Sequence, residues 1–285
     1  AYQKIIDNHL DPLLGAVPLS KLSPKQIQEY YQTMTRTEGL SSNTIRRHHD
    51  LLSAALRMAV RQDMLRVNPM ERVEPPRPKL HEASYYTQEN LKVLYQLVEG
   101  HWLEMVVKVT AGLGLRREEI CGLKWESVDF QRRVVHIKEA RTAYGATVVQ
   151  KETKNRSSMR TLFMPDELYE LLRREKARQE QERAIRGGDY AASGHVVLDR
   201  EGLPYSPNAL SLAFTRFVKK NDLPRLTFHG LRHTFATIAS CQGASLFDIG
   251  KALGHSTPAT TGRIYTHLVD RTHEELVQRV SDALK

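Results

Sequence analysis

A mainly α fold with a small antiparallel β-sheet, divided into two domains, is what the sequence predicts. Three observations carry that expectation. The first 70 or so residues place apolar side chains at helical spacing. A proline-rich break follows them. A cluster of β-rich runs lies between residues 132 and 164, in a chain otherwise patterned as helix.

The elements follow in order. The chain opens at Ala1 in AYQKIIDNHL, already in helical rhythm and without an initiator methionine, as expected of a fragment lacking an N-terminal segment. In LSPKQIQEYYQTMTRTEGL, Ser23 is an N-cap, Pro24 a first helical residue and Gly39 a stop. The next helix carries Ile45, Leu52, Leu56, Ala59 and Val60 on one stripe, with Arg46, Arg47 and His48 near its start. Four prolines in residues 69–78, mixed with charge, are the strongest linker signal in the chain. They divide a helical domain at 1–73 from a second domain at 87–285, with 74–86 as linker.

Thr87 caps a helix over QENLKVLYQLV, and WLEMVVKVTAGLGL reads as a buried helix ending in glycines. RREEICGLKW is a short helix with Ile120 and Leu123 on its apolar side. RRVVHIKEA, ATVVQKET and SMRTLFMP read as strands of one small antiparallel sheet, with turn-like stretches at Thr142–Gly145 and Asn155–Ser158. A long charge-laced helix follows at 165–186, then a GGDYAASG loop, then helices over 206–221, 228–241 and 246–253. Thr257 and Pro258 start another helix that runs through His267. The tail, 268–285, is amphipathic, with Leu276, Val277, Val280, Ala283 and Leu284 along one stripe.

Composition narrows the class of function. Lys and Arg number 42 against 33 Asp and Glu, a formal charge of +9 that favours a polyanionic partner, most often nucleic acid. Cys121 and Cys241 lie far apart in apolar contexts and read as small core residues of a reducing, cytoplasmic compartment, not as a disulfide or a zinc knuckle. No apolar run approaches the ~18 residues that a membrane span needs, and no signal peptide or G-x-x-x-x-G-K-[ST] phosphate loop is present.

The segment LTFHGLRHT poses the chemical question. On a helix capped by Thr227, His229, Arg232, His233 and Ala236 share one side, and Leu231, Phe235 and Ile238 share the other. A metal site, an anion site and a structural histidine cluster all fit two histidines four residues apart. Gly230 stands where a metalloprotease helix needs glutamate, and Arg232 would repel a dication. An anion site is what Arg232 favours, since its planar guanidinium matches two phosphate oxygens. Further along the chain, Arg116 sits between a glycine turn and a helix start, with Glu119 three residues on and able to orient it. Lys154 lies at the tip of a predicted hairpin, His255 follows the glycine that ends a helix, and Tyr265 lies on the next helix.

Taken singly these features are ordinary. In this order, G-L-R with Glu three on, Lys in a T-K hairpin, H-G-L-R-H-T, L-G-H and T-x-x-x-Y resemble the tyrosine recombinase family of phage-integrase type. The resemblance covers nearly the whole chain, 1–75 resembling the core-binding domain and 87–285 the catalytic domain of a C-shaped clamp. It implies that Arg116, Lys154, His229, Arg232, His255 and Tyr265 are catalytic, with Glu119 and His233 in support. Lys25, Arg46, Arg47, His48, Arg156 and Arg160 are the candidate DNA contacts. It implies double-stranded DNA as substrate, a homotetramer joined through the C-terminal tail, and an accessory excision factor as a further possible partner. No metal, ATP or other cofactor is implied, because arginines supply the charge. The rival readings are a Xer-like resolvase, a type IB topoisomerase and a DNA-binding protein that has lost the chemistry. The longer hairpin region at 140–160 favours an integrase of a phage, transposon or conjugative element.

Overall fold

The computed structural model describes residues 2–79, 84–144, 147–152, 159–255 and 281–282. Lys154, Arg156, Tyr265, the helix expected from Thr257 and all but two residues of the tail lie outside them. The chain divides into two compact units, 1–82 and 83–285.

The first unit is helical. It opens with α1 (Tyr2–Ile5), a π-helical turn (Ile6–Leu10) and α2 (Asp11–Leu14), and continues through α3 (Pro24–Arg36) and α4 (Ser42–Arg61). The start of α3 is a capping box. The Ser23 hydroxyl accepts from the Gln26 amide, and the Gln26 side chain accepts from the Ser23 amide. Ile27, Tyr30, Tyr31 and Met34 of α3 and Ile45 and Leu56 of α4 are buried in one cluster with Leu10, Met70 and Val73.

His48 departs from its expected place on a DNA-facing surface. It is 1% exposed and hydrogen-bonded through Nδ1 to the Tyr30 hydroxyl at 2.7 Å. The reason is periodicity: His48 lies three residues after Ile45, on the buried stripe. Arg47 stays exposed, Arg46 reaches the Pro76 carbonyl at 3.4 Å, and Lys25 pairs loosely with Glu29.

In the second unit, α5 (Gln88–Val98), α6 (Glu104–Leu113), α7 (Arg117–Gly122), α8 (Asp166–Arg186), α9 (Pro207–Lys220), α10 (Phe228–Cys241) and α11 (Leu246–Leu253) surround two small antiparallel sheets. One orders β1 (Val128–Asp129), β2 (Val134–Ile137) and β5 (Arg160–Phe163). The other is a hairpin of β3 (Glu139–Tyr144) and β4 (Thr147–Glu152). Among the described residues the single expected sheet is therefore two, and Thr142–Tyr144, read as turn, belong to β3. The break falls at Lys138, between strands that the sequence reads as one run.

Helix α6 is the spine, with Val106, Val107, Val109, Ala111 and Leu113 all buried. Tyr86, assigned to the linker by composition, is part of this core: it is 1% exposed, its amide donates to Thr234 Oγ1 and its hydroxyl to the Pro224 carbonyl. The proline signal fades at Pro78, and the aromatic ring then fills a core site. Cys121 is buried as expected, but Cys241, the last residue of α10, is exposed.

Candidate functional site

Two helices that end in glycine define the site. α6 stops at Gly114 (φ 62°) and α11 at Gly254 (φ 67°), both in the left-handed region that glycine adopts without strain. A side chain on Gly114 would meet Leu253 at 2.7 Å and Phe235 at 2.8 Å, so the close approach of α6, α10 and α11 depends on its absence. Each ending turns its last carbonyls toward the same space. Such groups have no partner within their own helix and carry its negative dipole end.

Three arginines from three elements fill that role. Arg160, opening β5, donates from Nε to the Ala252 carbonyl at 2.6 Å. Arg232, on α10, donates to the Leu253 carbonyl at 2.6 Å and the Gly114 carbonyl at 2.9 Å. Arg116, at the N-cap of α7, donates to the Gly254 carbonyl at 3.0 Å. Three consecutive carbonyls at the end of α11 thus each hold a different guanidinium.

Glu119 sits among the three. One carboxylate oxygen accepts from Arg116 Nη1 at 2.7 Å and Arg160 Nη1 at 2.9 Å. The other accepts from Arg160 Nη2 and from the Arg116 amide, both at 2.8 Å, and lies 4.0 Å from Arg232. Burial disfavours its charge, but Arg160 first and Arg116 next hold the carboxyl down to about 2, so it is ionised at any working pH. Three guanidiniums face this one carboxylate, and the local field favours an anion.

The histidines complete the wall. His229 and His233 meet edge to face, with ring centroids 4.8 Å apart. His255 follows Gly254 directly, its amide donating to the Gly250 carbonyl. Desolvation and then Arg232 lower the pKa of His229, which keeps an exposed edge. Desolvation followed by neighbouring cations lowers both His233 and His255 to about 4. All three are neutral near pH 7, able to accept or donate one proton each.

A pH dependence follows. A histidine whose folded pKa lies below its unfolded value of about 6.5 leaves the unfolded chain binding more protons between the two values. The contribution is complete above about 6.5 and is lost as pH falls toward 4. Thermal unfolding of the DNA-free protein should shift to lower temperature as the buffer is taken from pH 7.5 to 5. A midpoint that rises over that range would overturn these protonation states.

Of the residues singled out in the sequence, the structure brings Arg116, Glu119, His229, Arg232, His233 and His255 together. α10 itself differs from the expected two-sided helix. Ala236 and Arg232 are buried while Phe235 and Ile238 are half-buried, because α11 covers the cationic side and forms a small cluster of Ala236, Ile249 and Leu253.

Arg160 needs the larger correction. Expected as a DNA contact, its side chain is 7% exposed and bound to Glu119 and Ala252. Sequence reasoning missed its place in the site, although strand alternation carried the signal. Arg160 and Leu162 face one way, while Met159 (51% exposed) and Phe163 (63%) face the other. Among the described residues, no group of three or more histidine, cysteine, aspartate or glutamate side chains is placed to hold a metal.

Comparison with known proteins finds relatives of both sequence and fold. The profile described as the Phage integrase family matches residues 84–272, and one described as the phage integrase N-terminal SAM-like domain matches 1–35. A tyrosine recombinase XerC-like protein of Caldanaerobacter subterraneus is 27% identical over 94% of this chain and 73% of its own length. The ICEBs1 integrase of Bacillus subtilis is 24% identical over 98% of this chain and 76% of its own. The fold matches that of the Tn1549 transposon integrase, solved with transposon right end DNA, at a TM-score of 0.76 and 24% identity, over 93% of this chain and 88% of that one.

Proposed function

The chain belongs to the phage integrase family, and on that premise we propose that it is the site-specific recombinase of a mobile element. In this reading it cleaves and rejoins DNA strands through a 3′-phosphotyrosyl intermediate to integrate and excise that element. The observation that carries the reading is the cationic pocket at the end of α11, where Arg116 and Arg232 are held on adjacent carbonyls.

A phosphodiester is an anion that repels nucleophiles, and negative charge grows on its non-bridging oxygens in the pentavalent transition state. Arg116 and Arg232 stabilise that charge with charge-assisted hydrogen bonds, and His255 adds a neutral donor. Supplying this charge from side chains leaves no step that requires a metal. Tyr265 is the nucleophile. Its phenol, with an ordinary pKa of ~10, gives its proton to neutral His229 as the oxygen attacks phosphorus. The bond from phosphorus to the 5′-oxygen breaks, and Lys154 protonates that leaving oxygen. A 5′-hydroxyl from a second duplex then attacks the phosphotyrosine and restores a phosphodiester. The intermediate conserves the bond's free energy, so ATP is not consumed.

Exchange between two duplexes calls for four such sites, and the reading includes a homotetramer on DNA whose amphipathic tails dock on neighbours. Among the fold neighbours is a lambda integrase tetramer bound to a Holliday junction. In the first unit, Lys25, Arg46 and Arg47 contribute phosphate contacts, and affinity falls steeply with salt. An excision factor is a further partner in this reading.

The test uses nicked duplexes carrying the element's ends, which lose the 5′-hydroxyl fragment after cleavage and trap the adduct. An SDS-resistant protein–DNA band in EDTA is the expected result, and its absence on verified ends would sink the proposal. Relaxation of plasmid lacking those ends would favour a topoisomerase instead. Lys154→Ala should lose most cleavage activity on ordinary DNA and recover much of it on a 5′-bridging phosphorothiolate, whose sulfur leaves without a proton. Lack of recovery would remove Lys154 from the general-acid role.

A further inference from the structure

We infer that Arg160 is a positioning residue that locks Glu119 and the end of α11, and through them Arg116 and His255, without binding DNA phosphate itself. The inference rests on the functional reading above for what the positioned groups do, and on geometry alone for the positioning.

Three observations carry it. First, all three nitrogens of the guanidinium are engaged inside the protein. Nη1 and Nη2 form a parallel pair with the two Glu119 oxygens at 2.9 and 2.8 Å, and Nε reaches the Ala252 carbonyl at 2.6 Å. This is the fork-to-fork geometry of a strong arginine–carboxylate pair; Arg232, whose side chain is 3% exposed against 7% for Arg160, instead gives Nη1 and Nη2 to carbonyls and stands 4.0 Å from Glu119. Second, both of its partners lead to reacting groups. Glu119 accepts from the amide and the guanidinium of Arg116, so the carboxylate that Arg160 orients fixes Arg116 in turn. Ala252 lies three residues before His255, in the turn whose Gly250 carbonyl accepts the His255 amide. Third, Arg160 opens β5, which pairs along its length with β2 in the register Ile137↔Arg160 to Val134↔Phe163. The lock therefore ties the α11 ending to a sheet strand, an element rigid enough to hold geometry.

Charge adds a consequence that a purely mechanical brace would lack. The described charged and titratable groups around His255 include Arg232, His229 and His233 of α10, Arg116 and Glu119 at the start of α7, Arg160 of β5, and Asp248 and Lys251 of α11, which line the same hollow. Desolvation, then Arg232, Arg116 and Arg160 together hold its imidazole well below the ordinary histidine value. Removing the Arg160 charge leaves Glu119 less neutralised, and both changes favour protonated His255.

Arg160→Met and Arg160→Lys test this with three readings. The slope of log affinity against log salt for duplex binding should stay at the wild-type value, since a lost phosphate contact would reduce it by about one. At saturating DNA, the single-turnover rate of adduct formation should fall at least about tenfold in Arg160→Met, as expected when reacting groups lose alignment. Arg160→Lys should recover only part of it, because an ammonium cannot span both carboxylate oxygens and a carbonyl. The His255 imidazole, followed by NMR and assigned with His255→Asn, should titrate at higher pH in Arg160→Met than in wild type. A salt slope lower by about one, or a His255 midpoint unchanged in both variants, would overturn the assignment. If Arg160→Met does not fold, Arg160→Gln, which also removes the charge, takes its place in all three readings. Should wild-type protein form no adduct, the functional reading fails by itself, while the His255 titration still decides whether Arg160 acts on that histidine.

Discussion

Tyr265→Phe should abolish the SDS-resistant adduct and leave duplex affinity near the wild-type value. The substitution removes one oxygen, the atom assigned to attack phosphorus, and no formal charge at neutral pH. Affinity for a polyanion resides mainly in the cationic contacts, which the change does not touch. The experiment is sharp because the chain offers other phenols, 11 tyrosines in all, and the structure disfavours several as substitutes. Burial pushes the pKa of Tyr30, Tyr31 and Tyr95 upward and that of Tyr86 up to about 12. A phenol so desolvated ionises less readily and is a poorer nucleophile. Tyr30 and Tyr86 are also engaged, with His48 and with the Pro224 carbonyl. Gel shift with a catalytically blocked duplex gives the affinity, and a suicide duplex gives the adduct. Persistent adduct in Tyr265→Phe would show that another residue attacks phosphorus. Loss of affinity along with loss of adduct would show that Tyr265 belongs to the binding surface.

The fold was largely legible because its elements announce themselves locally. Ser23-Pro24, Thr87 and Thr227 are caps by composition, and Gly114 and Gly254 are stops because a left-handed residue is needed there. The members of the site were legible for a different reason: arginine and histidine at the ends of apolar helices have few structural uses, and their order along the chain narrows them further. What the sequence did not disclose is how the site is held. The partners of Arg116, Arg160 and Arg232 include backbone carbonyls at Ala252, Leu253, Gly254 and Gly114, and a carbonyl has no letter in the sequence. His48 and Arg160 were misplaced because cationic residues are usually exposed. Each is buried with a specific partner, Tyr30 and Glu119, whose position depends on tertiary packing.

Arg232→Ala should slow adduct formation by ~10²–10³, the scale for losing one preorganised donor to a developing oxyanion, and should lower the melting temperature as well. Both effects follow from the same placement. Arg232 is 2% exposed, and its guanidinium bridges carbonyls at the ends of two helices, Gly114 after α6 and Leu253 of α11. Truncation leaves two buried acceptors without that donor, each costing ~1–3 kcal/mol, and removes a positive charge 4.0 Å from Glu119. Arg232→Lys separates the contributions. It keeps the charge, so long-range attraction of DNA should persist, but one ammonium cannot reproduce the planar bridge, and most of the rate loss should remain. Single-turnover cleavage, measured well below the lowest melting temperature and at saturating DNA, isolates the chemical step from folding and from binding. A near-normal rate in Arg232→Ala would dismiss the phosphate clamp even if the protein melts early. Full recovery in Arg232→Lys would mean that charge alone matters at this position and that the shape of the guanidinium does not.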